Sequence, residues 1–209
     1  MENVKIATVV NFPSGEAPVD EVKKQIIEAV ANGADEIDLV LPYKKLIGEL
    51  KMNQSISDEL SEEIISYVKV CKSACAGKHL KVIIESGEFE RQVNELSGGS
   101  EAVTVGIRTA SSLAMKGVVD FIKTSTGKVQ VNATTSASRI MLEEIKRHKL
   151  ETGRTVGFKA AGGIRKVEDG IKYINIVKEI MGDGYVNSDY FRIGASSLLK
   201  DILATLATE

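Results

Sequence analysis

The sequence predicts a parallel α/β fold built from repeated strand–helix units, and three observations lead to this prediction. Short, mostly apolar runs rich in β-branched residues alternate along the chain with longer segments of helical periodicity. The short runs are apolar for nearly their whole length, as expected of parallel strands covered on both faces. They begin at positions 5, 36, 80, 118, 155 and 190, so the intervals are 31, 44, 38, 37 and 35 residues. Each interval accommodates one strand, one helix and their loops.

Six segments are predicted as buried strands, because most carry β-branched residues and most end in small or polar ones. They are residues 5–11 (KIATVVN), 36–41 (EIDLVL), 80–85 (LKVIIE), 118–124 (VVDFIKT), 155–159 (TVGFK) and 190–193 (YFRI). A helical segment joins each strand to the next, so we expect the strands to run parallel.

Five helices are predicted from apolar residues that recur at spacings of three and four. They cover residues 19–32, 57–76, 136–148, 166–181 and 196–206. Asp20 and Glu21 favour the positive end of the first helix, and Gly33 follows as its C-cap. The polar residues 48–61 are predicted as a surface extension, and Gly98-Gly99-Ser100 as a loop.

Composition limits the classes of function. The 209 residues suffice for one domain over residues 1–209, and no interdomain linker is visible. The net charge of -2 indicates neither a nucleic-acid partner nor an anionic membrane. No apolar run is long enough for a transmembrane helix, and the N-terminal MENVKIATVVNF lacks the features of a signal peptide. We therefore expect a cytoplasmic protein.

The two cysteines are expected to be packing residues. Cys71 and Cys75 lie four residues apart on one face of a predicted helix, where a disulfide has no reason to form in a reducing compartment. A metal site needs further ligands, and His79 is the only nearby candidate. No metal or other cofactor is expected.

Polar and glycine residues in the predicted strands and at their ends are candidates for the active site. In (β/α) barrels the active site forms at the carboxyl ends of the strands. The candidates here are Asn11, Asp38, Glu85, Lys123, Lys159 and Gly194. Asp38, Lys123 and Lys159 most need an explanation, because charged side chains are rare in buried strands.

The lysines Lys123 and Lys159 occupy matching ends of adjacent strands. An amine that points into a barrel interior loses hydration, and a second cation nearby further disfavours its charged form. One of the two amines can then be neutral near pH 7, the form that attacks a carbonyl carbon and forms a Schiff base. Asp38 would take and return protons. The alternative is that either lysine points outward, between strand and helix, and reaches solvent.

Glycine-bearing strand ends predict a phosphate site. Ala161-Gly162-Gly163 follows one strand, and Gly194-Ala195-Ser196-Ser197 follows the last strand and opens the last helix. Glycine lets a ligand approach the backbone, and a helix N-terminus offers free N–H groups. Barrel enzymes often hold phosphate at the ends of the last two strands. Thr126-Gly127-Lys128 adds a hydroxyl and a cation. The alternative for each segment is ordinary loop and helix-cap chemistry.

The chain resembles deoxyribose-phosphate aldolase, a class I aldolase family with an eight-stranded (β/α) TIM-type barrel. FIKTSTGK, at residues 121–128, and GFKAAGGIR, at residues 157–165, are the most specific segments of the resemblance. The other matching segments are IATVVNFP, GADEID, LKVIIE, VNAT and residues 192–199. Together they follow the family's order over nearly the whole chain.

The resemblance implies reversible cleavage of 2-deoxy-D-ribose 5-phosphate to acetaldehyde and D-glyceraldehyde 3-phosphate, without a metal. It implies that Lys123 is the Schiff-base lysine, that Lys159 keeps Lys123 neutral and that Asp38 belongs to the proton relay. It also implies a phosphate site formed by Gly162, Gly163, Gly194, Ser196 and Ser197, assisted by Thr126 and Lys128. The expected partners are a small sugar-phosphate substrate and further copies of the chain in a homo-oligomer.

The sequence departs from the family in its number of strands. Six strands are visible where the barrel has eight. The opening strand matches the family's third, so we expect an incomplete barrel that lacks the first two βα units. Family members often carry a tail after the last helix, whereas this chain stops at Leu206-Ala207-Thr208-Glu209. An incomplete barrel exposes strand edges and one side of its core.

Three explanations for the missing strands follow. The sequence is a shortened form of a longer one, the open edges pair with another subunit, or the chain is a relative that kept the lysines and lost efficient catalysis. The leading functional hypothesis is a Schiff-base aldolase. The alternative is a weak or inactive relative that acts as a binding protein through its open edge. Another phosphate-binding barrel enzyme, such as a sugar-phosphate isomerase, would not need two facing lysines.

Overall fold

The computed structural model describes residues 4–93 and 99–207 and contains one six-stranded parallel sheet. The strands are β1 (Ala7–Val10), β2 (Glu36–Val40), β3 (His79–Ile83), β4 (Phe121–Lys123), β5 (Gly157–Ala161) and β6 (Phe191–Gly194). They lie in the sheet in chain order, and each pairs in parallel with the next. The sheet curls into a half-barrel of the TIM type, so the predicted fold class and the six strands are confirmed.

Eight α-helices are present in the described residues. They are α1 (Val19–Ala31), α2 (Tyr43–Asn53), α3 (Asp58–Ala74), α4 (Ser86–Val93), α5 (Gly99–Lys116), α6 (Thr135–Thr152), α7 (Val167–Met181) and α8 (Leu198–Leu206). The five predicted helices correspond to α1, α3, α6, α7 and α8. Side-chain hydroxyls cap two of them, because Ser57 accepts from the Leu60 amide and Thr134 from the Ala137 amide.

The sequence pattern does not predict the helices α2, α4 and α5. The expected surface extension at residues 48–61 is wrong in its first part, which continues α2 and packs against the core. The buried residues of α2 are Tyr43, Leu46, Ile47 and Leu50, at helical spacing. The expected loop at Gly99 and Ser100 is also wrong, because α5 begins at Gly99; Gly98 lies outside the described residues.

Both cysteines pack inside the protein, as predicted. Cys71 lies in α3 and Cys75 is its C-cap residue, and both are buried free thiols. Burial raises the pKa of the Cys71 thiol to about 12 and that of Cys75 to about 11. The thiols are therefore protonated and unreactive at neutral pH.

The charged strand residues share one face of the sheet. Register pairs Asp38 with Lys81, and Lys123 with Lys159. In-register residues of parallel strands point to the same side. Strands β2 and β5 are not neighbours, yet the Nζ atom of Lys159 lies 2.9 Å from an oxygen of Asp38. The sheet therefore curls around its charged face, and the alternate strand residues, such as Leu39 and Phe158, join the apolar core.

An ion pair between β2 and β6 crosses the interior of the half-barrel. The Nη1 atom of Arg192 lies 2.8 Å from both carboxylate oxygens of Glu36, and the guanidinium stacks over the Phe121 ring at 5.1 Å. Lys81 approaches the same carboxylate at 2.6 Å. Burial alone would raise the pKa of Glu36, but Lys81 and Arg192 outweigh it and lower the pKa. Glu36 is therefore ionised, and its ion pairs connect β2 to β3 and to β6.

We expect Arg192→Met to lower the free energy of unfolding by about 1.5–3 kcal/mol, because it removes a hydrogen-bonded charge from a buried carboxylate. Urea unfolding measures the loss. The matched control is Arg139→Met, which breaks a pair with Glu179 whose side chains are 44% and 60% exposed. That surface pair should contribute no more than about 1 kcal/mol. Equal losses in the two variants would contradict the role of the Arg192 pair.

The described sheet is open between β1 and β6, its two edge strands. The inward-facing Val9 of β1 is exposed, as are Leu199, Leu203 and Leu206 of α8. The predicted incomplete barrel therefore has one uncovered side in the described part of the chain. Within the same residues, we find no helix with the length and apolar character needed to cross a membrane.

Candidate active site

Asp38 lies at the centre of the charged cluster. It is 3% exposed and accepts hydrogen bonds from three lysines. The Nζ atoms of Lys123 and Lys159 lie 2.7 and 2.9 Å from its Oδ2 atom. Lys81 donates to the Oδ1 atom at 2.9 Å. The structure therefore brings together the three residues that the sequence singles out, and both predicted lysines point inward rather than outward to solvent. We call Asp38, Lys81, Lys123 and Lys159 the lysine cluster.

The lysine cluster shifts the protonation of its own members. Burial alone would raise the pKa of Asp38, but the charges of Lys123, Lys159 and Lys81 hold it well below its usual range. Burial lowers the pKa of Lys159; Asp38 opposes this shift, and the charge of Lys123 adds to it. Asp38 is therefore a carboxylate at neutral pH, and Lys159 releases its proton more readily than an ordinary lysine.

Lys81 is a member of the cluster that the sequence reasoning missed. Its side chain is fully buried and binds both Asp38 and Glu36. This bond occupies the Oδ1 atom of Asp38 and leaves the Oδ2 atom to Lys123 and Lys159. A signal was available, since LKVIIE contains a lysine inside an apolar strand, as do the other two lysine strands.

Hydrogen bonds from Thr124 join the carboxyl ends of β4 and β5 next to the two lysines. The hydroxyl of Thr124 donates to the carbonyl oxygen of Ala161 at 3.0 Å and accepts from the amide of the same residue at 2.9 Å. The Thr124 amide also donates to the carbonyl oxygen of Lys159 at 3.1 Å. These bonds fix the register that places Lys123 beside Lys159. Asn11 lies elsewhere and binds the Val40 carbonyl and the Tyr67 hydroxyl.

A cavity of about 490 Å³ opens at the carboxyl ends of β4, β5 and β6, and Lys123 and Lys159 form part of its wall. All seven residues predicted to hold the phosphate line it, namely Thr126, Lys128, Gly162, Gly163, Gly194, Ser196 and Ser197. Ser197 is the N-cap residue of α8, so the first amides of that helix lie at the cavity. Asp38 is not part of the wall.

Two glycines of the cavity wall are required by geometry. Gly162 has φ 90°, and a Cβ atom there would lie 2.8 Å from the side chain of Asn132. At Gly194, a Cβ atom would lie 2.8 Å from that of Ala161 and 3.2 Å from the Cε atom of Lys159. Glycine at these positions therefore leaves room for the lysine and for the cavity.

The cavity is positively charged. Its described lining includes Lys123, Lys128, Lys159 and Arg165, and none of these described lining residues is acidic. Arg165 and Asn132 were missed as site residues, although Arg165 directly follows the two glycines in GGIR. Cations together with open backbone amides suit an anionic ligand.

In enzymes with TIM-type barrels, the active site lies at the carboxyl ends of the parallel strands, where the cavity of this protein also opens. Comparison with known proteins narrows the class of protein to aldolases. The model of the DeoC/LacD family of aldolases matches residues 1–203, so the chain belongs to that family. This confirms the resemblance predicted from FIKTSTGK and GFKAAGGIR.

Solved structures show the same fold at low sequence identity. A provisionally identified deoxyribose-phosphate aldolase from Toxoplasma gondii ME49 is similar with a TM-score of 0.81 and 23% identity, covering 100% of this chain and 73% of that one. A deoxyribose phosphate aldolase from Aeropyrum pernix, described as a tetramer, is similar with a TM-score of 0.66 and 21% identity, covering 99% and 70%. At such identities the likeness shows the fold alone.

Proposed function

We propose that this protein is a Schiff-base aldolase that reversibly cleaves 2-deoxy-D-ribose 5-phosphate to acetaldehyde and D-glyceraldehyde 3-phosphate. The observation that supports this best is the pair of lysine amines within 2.9 Å of one buried carboxylate oxygen, in the wall of a cationic cavity. A site with only one of these parts would suit many reactions. Two facing lysines and an anion site together suit a carbonyl substrate that carries a phosphate.

Covalent chemistry begins at Lys123 in this proposal. Its neutral amine attacks the aldehyde carbon of the open-chain sugar, and the loss of water, with one proton taken up from the proton-transfer groups of the site, leaves a protonated Schiff base. A base removes the proton of the 3-hydroxyl, the bond between carbons 2 and 3 breaks, and its electron pair moves toward the Schiff base. Glyceraldehyde 3-phosphate leaves, and an enamine remains on the lysine. Protonation of the enamine and addition of water release acetaldehyde and restore the amine.

In this reaction, we assign the proton transfers to Asp38 and Lys159. The two groups hydrogen-bond each other, and both contact or adjoin the amine of Lys123. The lowered pKa of Lys159 brings its proton affinity closer to neutral pH, where a group can both donate and accept protons. In its ionised form Asp38 also stabilises the positive charge of the protonated Schiff base.

The phosphate end of the substrate would occupy the far part of the cavity. Gly163 and the first amides of α8 offer N–H groups, and Lys128 and Arg165 offer charge. The cavity contains both this region and the two reactive lysines, so one small molecule can contact both. This arrangement supports a phosphorylated sugar over a free aldehyde as the substrate.

Borohydride trapping tests the proposal. The protein is incubated with acetaldehyde, reduced with sodium borohydride and digested, and the modified peptide is identified by mass spectrometry. We expect one added ethyl group, on Lys123. Protein reduced without aldehyde is the control. A folded protein that forms no adduct would contradict the aldolase function.

The open side of the half-barrel favours a second candidate, a weak or inactive relative that binds partners through this side. Edge strand β1 and helix α8 expose apolar side chains there, including Val9 and Leu199. A homo-oligomer that covers this side is the related proposal, and the Aeropyrum pernix neighbour is described as a tetramer. Light scattering measures the assembly, and failure of trapping in an assembled protein would favour this candidate.

A further inference from the structure

Glu85 is a buried carboxylate that the proposed chemistry does not use. It follows β3 closely and is 0% exposed. Its backbone has φ 57°, in the left-handed region that residues other than glycine seldom adopt. Burial raises the pKa of Glu85, which shows that an anion is costly to keep at this position. A strained and poorly solvated acid calls for an explanation beyond packing.

The carboxylate of Glu85 holds one backbone amide. Both of its oxygens lie 3.2 Å from the backbone nitrogen of Thr126. The hydroxyl of Thr126 in turn accepts from the amide of Lys128 at 3.1 Å, and Gly127 between them has φ 81°. These bonds connect the end of β3 to the segment that follows β4. We call Thr126-Gly127-Lys128 the phosphate loop, because all three residues line the cationic cavity.

The position of Glu85 excludes a direct contact with an anion in the cavity as its role. Glu85 is not among the residues that line the cavity, although the phosphate loop that it binds is. A carboxylate in the wall would repel a phosphate, whereas one behind the loop can fix the loop without facing the ligand. Without this acceptor, the Thr126 amide would be left to find another partner.

We propose that Glu85 is a positioning residue that sets the phosphate loop against the cavity, so that affinity for a phosphate group depends on its bond to the Thr126 amide. The inference rests on the proposed function for the identity of the ligand. A purely structural role would affect every activity of the site, whereas the bond to the Thr126 amide should affect phosphate binding and not the reaction of Lys123 with an aldehyde. The charge of Glu85 also acts on Lys123, so the test compares two variants that both lack this charge.

The test compares Glu85→Gln with Glu85→Met. Both variants remove the charge and keep a side chain of similar length, but only glutamine can accept from the Thr126 amide. Calorimetry measures the dissociation constant for inorganic phosphate. We expect it to rise about tenfold or more in Glu85→Met and less than about threefold in Glu85→Gln, as the loss of one buried hydrogen bond implies. Borohydride trapping with acetaldehyde should proceed at rates within about twofold of each other in the two variants, because acetaldehyde has no phosphate.

Three outcomes would overturn the inference. They are equal phosphate affinity in the two variants, a loss of both phosphate binding and acetaldehyde trapping in Glu85→Met relative to Glu85→Gln, and the absence of phosphate binding by the unchanged protein. If Glu85→Met does not fold, Glu85→Asp replaces it. That variant keeps the charge and withdraws it from the Thr126 amide by one methylene, so unchanged phosphate affinity would again overturn the inference.

The same measurements separate this inference from the aldolase proposal. Phosphate binding that depends on Glu85, in a protein that traps no acetaldehyde, would support the positioning role and contradict only the aldolase reaction. Trapping at Lys123, with no effect of Glu85→Met on phosphate affinity, would support the aldolase reaction and contradict only the positioning role.

Discussion

Replacing Lys123 by alanine is expected to abolish the borohydride adduct and to lower aldolase activity by at least about a thousandfold, because loss of the nucleophile removes the covalent route. Trapping with acetaldehyde and turnover of 2-deoxy-D-ribose 5-phosphate measure the two effects. Lys23→Leu, at an exposed site in α1, is the control and should change neither. An adduct that persists in folded Lys123→Ala would contradict the assignment.

The companion variant Lys159→Leu separates the roles of the two amines. Both contact the Oδ2 atom of Asp38, so each disfavours a positive charge on the other. Lys159, whose pKa is lowered, is the amine proposed to pass protons at the site. Without it, the adduct should still form on Lys123 but more slowly near pH 7. The rate of trapping at pH 7 in Lys159→Leu and in the unchanged protein measures this effect. If Lys159→Leu loses the adduct and Lys123→Ala keeps it, the roles are exchanged.

Asp38→Asn is expected to lower the free energy of unfolding by about 3–5 kcal/mol at neutral pH, because it leaves the buried amines of Lys81 and Lys123 and the partly buried amine of Lys159 without their common carboxylate. Urea unfolding measures the loss. Asp183→Asn is the matched control, since the Asp183 side chain is 84% exposed and pairs only at the surface with Lys178. That change should cost no more than about 1 kcal/mol.

The pH dependence of Asp38→Asn follows from the direction of the pKa shifts. Burial lowers the pKa of Lys159 even beside Asp38, so without Asp38 the folded state holds the Lys159 proton more weakly still than the unfolded state does. Stability rises with pH wherever the unfolded state binds more protons. The difference in free energy of unfolding between Asp38→Asn and the unchanged protein should therefore become smaller between pH 7 and the alkaline range. A difference that stays constant with pH would contradict this explanation.

In the unchanged protein, the lowered pKa of Asp38 affects stability at acidic pH. Its carboxylate contributes stability above the pKa of an unfolded aspartate, near 3.9, and this contribution is lost as the pH falls through the lower pKa of the folded state. Asp38→Asn should therefore show a weaker loss of stability on acidification than the unchanged protein.

Local sequence periodicity predicts most of the elements of this fold. Each predicted strand overlaps an observed one, as residues 36–41 overlap β2 and residues 155–159 overlap β5. Apolar runs and helical spacing are local properties, and a parallel sheet covered by helices makes them regular. Helix α5 was missed because its glycine, serine, threonine and valine residues have low helix propensity; contacts with α6 in the folded protein stabilise it.

The candidate site was predictable where a charged residue interrupts an apolar strand. Lys123 and Lys159 satisfy this condition, and Asp38 lies within the apolar run EIDLVL. The same condition applies to Lys81, which lies inside the apolar run LKVIIE and was nevertheless missed. The ion pair of Arg192 and Glu36 was also missed. The two residues lie 156 positions apart, so the spacing of residues in the sequence does not indicate that they meet.

The pattern of amino acids is sufficient to predict the parallel α/β class, the six strands, the family and the residues that carry unusual charge. The folded structure is needed to show that the two lysines bind the same oxygen of Asp38, that Lys81 occupies the other, and that Glu85 accepts from the Thr126 amide. The reason is that these contacts join strands distant in the chain, and in two cases strands that are not neighbours in the sheet. Their distances depend on how strongly the sheet curls, which is set by the packing of the helices against its outer face.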